Sequence, residues 1–328
     1  MPNTVLVLPA GQTATVIIKS LRRDSSLRII SADTNFLAPG LHLADKGYLI
    51  PQVSDPAFYD KVQDIISRES VDLIFPSGMY NILLVNLQER LSKTGVKVLA
   101  SEPATIDICL DKWKTYQYLS ETLSMPRSTI DSDAERISNF IGFPAIIKPR
   151  DGSGSKNVYK LEDLGDMRYY MKKVPSPMVQ EFISGKVYSA DVLVGADGES
   201  LCTVFYSRLG TSDGHTIRSV IETRKELVEL VRQICKSIKF FGNINIDVII
   251  DEKDSKPKLI DLNPRIGNGV ILSVAAGFNL PLNAVYSALE KPLESMHLVP
   301  YPLYMSRYYE EIFLEDSTFK DVDTTLLQ

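Results

Sequence analysis

Cysteine is the first thing this chain is short of. Its three cysteines, Cys109, Cys202 and Cys235, stand far apart among 328 residues, with no Cys-x-x-Cys pair. Such spacing argues against a disulfide framework or a zinc site and leaves each as a small buried apolar side chain. A basic excess is missing too: 36 Lys and Arg against 41 Asp and Glu leave a net charge of −5. A dedicated nucleic-acid binder needs a broad basic face, so no nucleic-acid partner is expected, although a local basic pocket is allowed. No apolar run approaches the length that crosses a bilayer. Met1 leads straight into a strand-like stretch, with no basic leader segment and no cleavage site. The expected compartment is the cytoplasm, with no membrane partner. Internal repeats and low-complexity segments are absent as well.

What is present is an ordinary globular composition, 44% hydrophobic and 23% charged, in a chain long enough for two or three packed units. The N-terminal third alternates short β-rich runs with helical patterns. Strands are predicted at 4–8, 27–32, 71–75 and 96–100, and helices at 13–21, 60–67 and 82–94. That order implies βαβ units and a parallel sheet, with the loops after Leu8, Ala32 and Phe75 along one edge. A second unit opens with a helix at 106–120, then strands at 145–148 and 157–160, a helix at 161–174 and a strand at 178–182. A third reads as antiparallel: a hairpin from 188–194 and 201–207, a helix at 223–240, and strands at 244–250 and 258–262. Residues beyond 301 are aromatic and then acidic, with no readable motif.

Asp247, Asp261 and Asn263 carry the strongest chemical signal. Alternation along a strand sends Asp261 and Asn263 to one side, and Asp247 sits on the preceding strand between Ile246 and Val248. If those strands pair, three oxygen donors converge, which suits Mg²⁺; the plainer alternative is a solvated strand end. Arg265 follows in Asp-Leu-Asn-Pro-Arg, where a guanidinium can fork onto phosphate or carboxylate. Lys148 ends an apolar strand, where burial demands an anionic partner, and runs into Pro149-Arg150-Asp151-Gly152-Ser153-Gly154-Ser155-Lys156. That loop lacks P-loop spacing, yet its small residues allow backbone amides to approach phosphates; a surface hairpin would look similar. Lys112 starts a helix, against the helix dipole. Glu181, Phe182 and Ile183 leave a strand into Ser184-Gly185, either as a core strand end or as an edge that can read adenine. Arg208, His215 and Arg218 fall in a polar, glycine-containing stretch without a clear period, as in an anion-closing lid or a surface loop.

In this order, these pieces resemble the ATP-grasp superfamily, and most closely its carbamoyl-phosphate-synthase-like single-chain members. The resemblance runs from Val5 to about Pro292. It rests on Ile108-Cys109-Leu110-Asp111-Lys112-Trp113-Lys114-Thr115, Lys148-Pro149-Arg150-Asp151-Gly152-Ser153, Val179-Gln180-Glu181-Phe182-Ile183 and Asp261-Leu262-Asn263-Pro264-Arg265. It implies an α/β Rossmann-like pre-ATP-grasp domain at 1–105 that does not hold NAD, then an α+β ATP-grasp fold of two lobes. These would be a small lobe at 106–183 and a central lobe at 184–300, with a tail at 301–328. By the same resemblance Lys112 and Lys148 grip ATP phosphates, and Gly152, Ser153, Gly154 and Ser155 form the glycine-rich flap. Glu181, Phe182 and Ile183 hold adenine, Asp247, Asp261 and Asn263 bind Mg²⁺ (or Mn²⁺), and Arg265 stands at the transferred phosphate. Two departures are visible. Val187 takes the place of a glutamate that relatives use for ribose, and Ser77-Gly78-Met79-Tyr80-Asn81 replaces an acidic stretch.

The expected function is an ADP-forming ligase that joins a small carboxylic acid, such as an amino acid, to an amine or thiol through an acylphosphate. Lys148 and Arg265 are the expected catalytic residues. Asp33, Asn81, Arg208, His215 and Arg218 are the expected substrate contacts. Small-molecule carboxylate and nucleophile are the expected partners, and a homodimer is left open. The competing readings are a small-molecule kinase on the same fold, a non-catalytic nucleotide-binding protein, and an NAD-dependent oxidoreductase. The last is disfavoured because Pro9-Ala10-Gly11-Gln12-Thr13 has one glycine where the fingerprint wants three.

Overall fold

The computed structural model describes residues 3–78, 87–91, 94–152, 154–212, 215–295, 302–314 and 322–325, with Ser212 and His215 described by backbone alone. The N-terminal sheet is parallel and includes β1 (Asn3–Leu8), β2 (Leu27–Asp33), β3 (Lys46–Leu49), β4 (Leu73–Pro76) and β5 (Lys97–Val98). Val5, Leu6 and Val7 are fully buried. A parallel strand covered on both faces reads as a continuous apolar run, which is why β1 shows no alternation. Val5 and Val7 pack with helix α1 (Gln12–Leu21), whose Ala14, Ile17, Ile18 and Leu21 form one stripe. Leu6 and Leu8 pack on the other side with Phe58, Val62 and Ile65.

The helix predicted over 106–120 is two helices, Pro103–Leu110 and Lys112–Leu119. Asp111 breaks it with extended backbone, and its carboxylate accepts the N–H groups of Trp113 and Lys114. An aspartate that caps a new helix stabilises the break, so Lys112 becomes the first residue of the second helix. The small lobe is a four-stranded antiparallel sheet ordered β6–β9–β7–β8: β6 (Ser128–Thr129), β7 (Ala145–Pro149), β8 (Tyr159–Leu161) and β9 (Pro177–Glu181). It has its own core, which includes Ile137, Ile147, Leu161, Met167 and Val179.

The central lobe is a six-stranded antiparallel sheet ordered β14–β13–β10–β11–β12–β15. Its strands are β10 (Gly185–Val194), β11 (Ser200–Ser212), β12 (His215–Ile221), β13 (Gly242–Asp251), β14 (Pro257–Asn263) and β15 (Tyr304–Ser306). The stretch read as a lid or a surface loop is thus largely strand: β11 and β12 pair along Tyr206–Ile221 and Ser212–His215, with an irregularity at Gly210. Ser207, Thr216 and Ser219 are buried there, so inward positions carry hydroxyls and the two-residue period vanishes from the sequence. Residues read as a tail contribute β15 to this sheet, and β16 (Val322–Asp323) pairs with β3 in the N-terminal sheet. The core around α1 also contains Tyr206, Ile266, Val270, Leu272, Leu280 and Ala284. One continuous core therefore joins the N-terminal unit to the central lobe.

Candidate active site

The site lies where the small-lobe sheet faces the central sheet. On β13 and β14 the register pairs Asp247 with Asp261 and Asn245 with Asn263. Paired positions in an antiparallel ladder share a face, so both carboxylates and the Asn263 amide point to one surface. Arg208 on β11 forms an ion pair with Asp247. Arg208 Nε also donates to Ser189 Oγ (2.8 Å), and Ser189 donates to Asp247 Oδ1 (2.7 Å). Asn263 Nδ2 donates to Asp261 Oδ2 (3.3 Å), and Arg265 Nη2 donates to Asn263 Oδ1 (3.2 Å).

Two lysines come from the opposite side. Lys112 Nζ lies 3.6 Å from Asp261 Oδ1 and donates to the Gly152 carbonyl at 2.6 Å. Lys148, 8% exposed, donates to Gln180 Oε1 (3.0 Å) and across the gap to the Ile260 carbonyl (3.3 Å). Burial pushes the Lys148 ammonium down to about 8, against the pull of Asp261. Burial raises Asp247, assisted by the neighbouring Asp261 charge and opposed by Arg208. At Asp261 burial also acts upward, yet Lys112 and Lys148 together hold it below the usual carboxylate range. Two half-buried carboxylates that repel one another, ringed by four cations, suit a cation and an anion together.

The set fits Mg²⁺ bound with phosphate. Its donors are all hard oxygens, two carboxylates and an amide, which leaves most of an octahedron for phosphate and water. Among the described residues, no cluster of three His, Cys, Asp or Glu forms a closed protein cage. A cavity of about 290 Å³ runs from this cluster to an apolar end at Ile146, Val158, Phe182 and Ile183. Gly152, Gly154 and Ser155 line it; a Cβ at Gly152 would sit 3.0 Å from the Pro149 ring, and Gly154 has φ +64°. Both favour glycine in the loop. Glu181 lines the apolar end and is held by Arg127 (3.3 and 3.4 Å). A smaller polar pocket of about 90 Å³ adjoins the cluster on the side of Arg265, Thr216 and Asn268. There Thr13 of α1 donates to Asn268 Oδ1 (2.7 Å), bringing the N-terminal unit to the site.

The structure thus gathers Lys112, Lys148, Gly152, Gly154, Ser155, Glu181, Phe182, Ile183, Arg208, Asp247, Asp261, Asn263 and Arg265 around one cleft. Asp33 is not among the residues lining these two pockets: its carboxylate takes the N–H groups of Ala10 and Asn35, both at 2.9 Å. Arg218 is exposed on β12, outside both linings. Ser153 and Asn81 lie outside the described residues, as does the His215 side chain. Ser189, which donates to Asp247, and Tyr206, which lines the smaller pocket, carry no signal in the sequence. Their roles depend on strand register, which no local pattern encodes.

An ATP-grasp domain model matches residues 109–269, and a PylC-like N-terminal domain model matches residues 5–99. The chain therefore carries a domain of the ATP-grasp superfamily behind a PylC-like N-terminal domain. Within it, the chain is similar to the carbamoyl phosphate synthase large chain of Caldanaerobacter subterraneus subsp. tengcongensis, 28% identical over 236 residues. That match covers 65% of this chain and 21% of the relative, so the chain spans about one fifth of the relative's length. It is also similar to the C-terminal section of the large chain from Aquifex aeolicus, 25% identical across 77% of this chain and 49% of the relative. Among solved structures, N5-carboxyaminoimidazole synthetase from Staphylococcus aureus shares the fold with a TM-score of 0.76 and 16% identity, over 93% of this chain and 82% of that one. The biotin carboxylase domain of Hydrogenobacter thermophilus 2-oxoglutarate carboxylase, solved with MgADP and bicarbonate, gives a TM-score of 0.74 and 16% identity, over 90% and 71%. Among the described residues, no helix is long and apolar enough to cross a membrane.

Proposed function

We infer that the protein is an ADP-forming ligase that activates a small carboxylic acid with Mg-ATP and couples it to an amine or thiol. The observation that carries this reading is the facing pair Asp247 and Asp261, with Lys112, Lys148, Arg208 and Arg265 around it, at the charged end of a cleft that is apolar at the other. Mg-ATP, when bound, supplies the γ-phosphoryl group. The substrate carboxylate takes that group and ADP leaves; the nucleophile then displaces phosphate from the acylphosphate and loses a proton.

The chain's own contribution is positioning and charge neutralisation, the main currency of phosphoryl transfer. Asp247, Asp261 and Asn263 would hold the metal. Lys112 and Lys148 would hold phosphate oxygens from the small-lobe side, while the flap around Gly152 and Gly154 excludes water. Arg265 stands between the metal set and the pocket toward Asn268, where it can meet charge on both the phosphoryl group and the incoming carboxylate. The acceptor pocket is assigned to that side, between Arg265 and the N-terminal unit.

An ADP- and phosphate-release screen over amino acids and small carboxylates, each offered with amines and thiols, tests the reading. Asp261→Ala should lower the rate found for the active pair by at least ~100-fold, since charge-stabilising groups at such sites are worth that much. A variant as active as the wild type would remove the metal assignment.

A further inference from the structure

The cleft has a direction, and the direction places each part of a nucleotide. This step rests on the Mg-ATP reading above. Its apolar end, at Ile146, Phe182 and Ile183, suits a base; its charged end, at Lys148 and Asp261, suits phosphates. The sugar must then lie between them, above the central sheet.

Register says what the sugar meets. On β10 and β13, Ser189 pairs with Asp247 at the phosphate end, and the next row toward the hinge pairs Val187 with Ile249. Alternation puts Val187 and Ser189 on the same face. Ile249 and Ile260 line the cleft directly. The floor under the sugar is therefore aliphatic. Among the described residues, each carboxylate lining the cleft is already engaged: Glu181 with Arg127, Asp247 with Arg208 and Ser189, Asp261 with Asn263 and Lys112. Of the acids beside it, Glu222 takes Lys186 and the Tyr188 hydroxyl, which alternate to the opposite face of β10, and Glu252 takes the Ser184 hydroxyl.

We propose that this protein reads the base and the phosphates of its nucleotide but leaves the ribose hydroxyls unread, because Val187 and Ile249 form the wall beneath the sugar. The site then accepts a 2′-deoxyribonucleotide about as well as a ribonucleotide. A site that hydrogen-bonds a hydroxyl rejects the analogue lacking it strongly, whereas an apolar wall discriminates weakly.

Calorimetric titration of the full chain with MgADP and with its 2′-deoxy counterpart tests this without knowledge of the acceptor. For the wild type the two dissociation constants should agree within about threefold. Val187→Glu and Val187→Gln each place an acceptor in the same row. At least one should favour the ribonucleotide by about tenfold, with a melting temperature close to that of the wild type. A wild type that binds MgADP ten times more tightly or better would overturn the inference while leaving the nucleotide site in place. Folded variants that both treat the two nucleotides alike would overturn the assignment of Val187. Binding of neither nucleotide by the wild type would remove the inference and the Mg-ATP reading together.

Discussion

Lys148 and Glu69 show how the same cost, burial of a charge, is met differently in a site and in a scaffold. Lys148 has two neutral oxygens within reach and its carboxylate neighbours only at longer range, so burial depresses its ammonium toward 8. It remains mostly protonated near neutrality and open to a new anion. Glu69, 8% exposed, is saturated instead: Arg28 and Lys46 pair with it and the Tyr48 hydroxyl donates to it. Burial acts upward on Glu69, but Tyr48, Lys46 and Arg28 outweigh it and hold its pKa below the ordinary value. A depressed folded-state value means stability is fully present above the unfolded pKa and is lost as pH falls through the folded one. Glu69→Gln should cost about 2 kcal/mol at pH 7, less than a fully buried pair because Arg28 and Lys46 are partly solvated. It should also flatten the decline in stability below pH ~4.5. Urea denaturation of both proteins at several acidic pH values measures both effects.

Among the elements, the helix Lys112–Leu119 ties local structure most directly to the site. Asp111 caps it, forms an ion pair with Arg150, and so joins the helix that presents Lys112 to the strand end that presents Lys148. The Lys112 N–H donates to the Arg150 carbonyl (3.0 Å), which closes the same junction. Asp111→Ala should cost about 1 kcal/mol of stability from the lost cap. It should also weaken MgADP binding by roughly three- to tenfold as Lys112 loses its fixed place, within the tenfold that 1.4 kcal/mol represents. Thermal unfolding and nucleotide titration separate the two effects. The same region shows what a sequence can disclose. Asp247, Asp261 and Asn263 were legible because strand alternation alone puts two of them on one face. The break at Asp111 was not, since apolar residues continue on both sides and only the cap geometry ends the first helix. The strand β12 was hidden for a different reason: its buried positions include Thr216 and Ser219, which read as polar. Asp33 was expected among the substrate contacts, and no local pattern marks the two backbone amides that take up its oxygens.

In the whole molecule, residues 302–314 and 322–325 reach across two units. Arg307 N–H donates to the Ile217 carbonyl (2.8 Å), and its guanidinium donates to the Asn268 carbonyl (2.7 Å) beside the polar pocket. Lys19 of α1 pairs with Glu310 at 2.9 Å. These contacts are exposed and individually weak, but together with β15 and β16 they cover an edge of each six-stranded sheet. Removal of residues 302–328 should lower the melting temperature by several degrees, about what one or two kcal/mol represents in a chain of this size. Amide exchange in Arg218, Ser219 and Val220 and along β3 should rise, while the core strand β1 stays protected. Equal exchange in the truncated and full chains would show that the segment adds nothing to either sheet.

The pairing of β16 with β3 also has a consequence for synthesis. The paired residues Gly47 and Val322 stand 275 positions apart, so at about 5–20 residues per second this edge of the first sheet waits some 14–55 s for β16. During that interval the nascent domain presents unpaired backbone amides and carbonyls to the crowded surroundings of the ribosome. Chaperone occupancy, and loss to aggregation when translation stalls, should therefore peak before the final segment emerges.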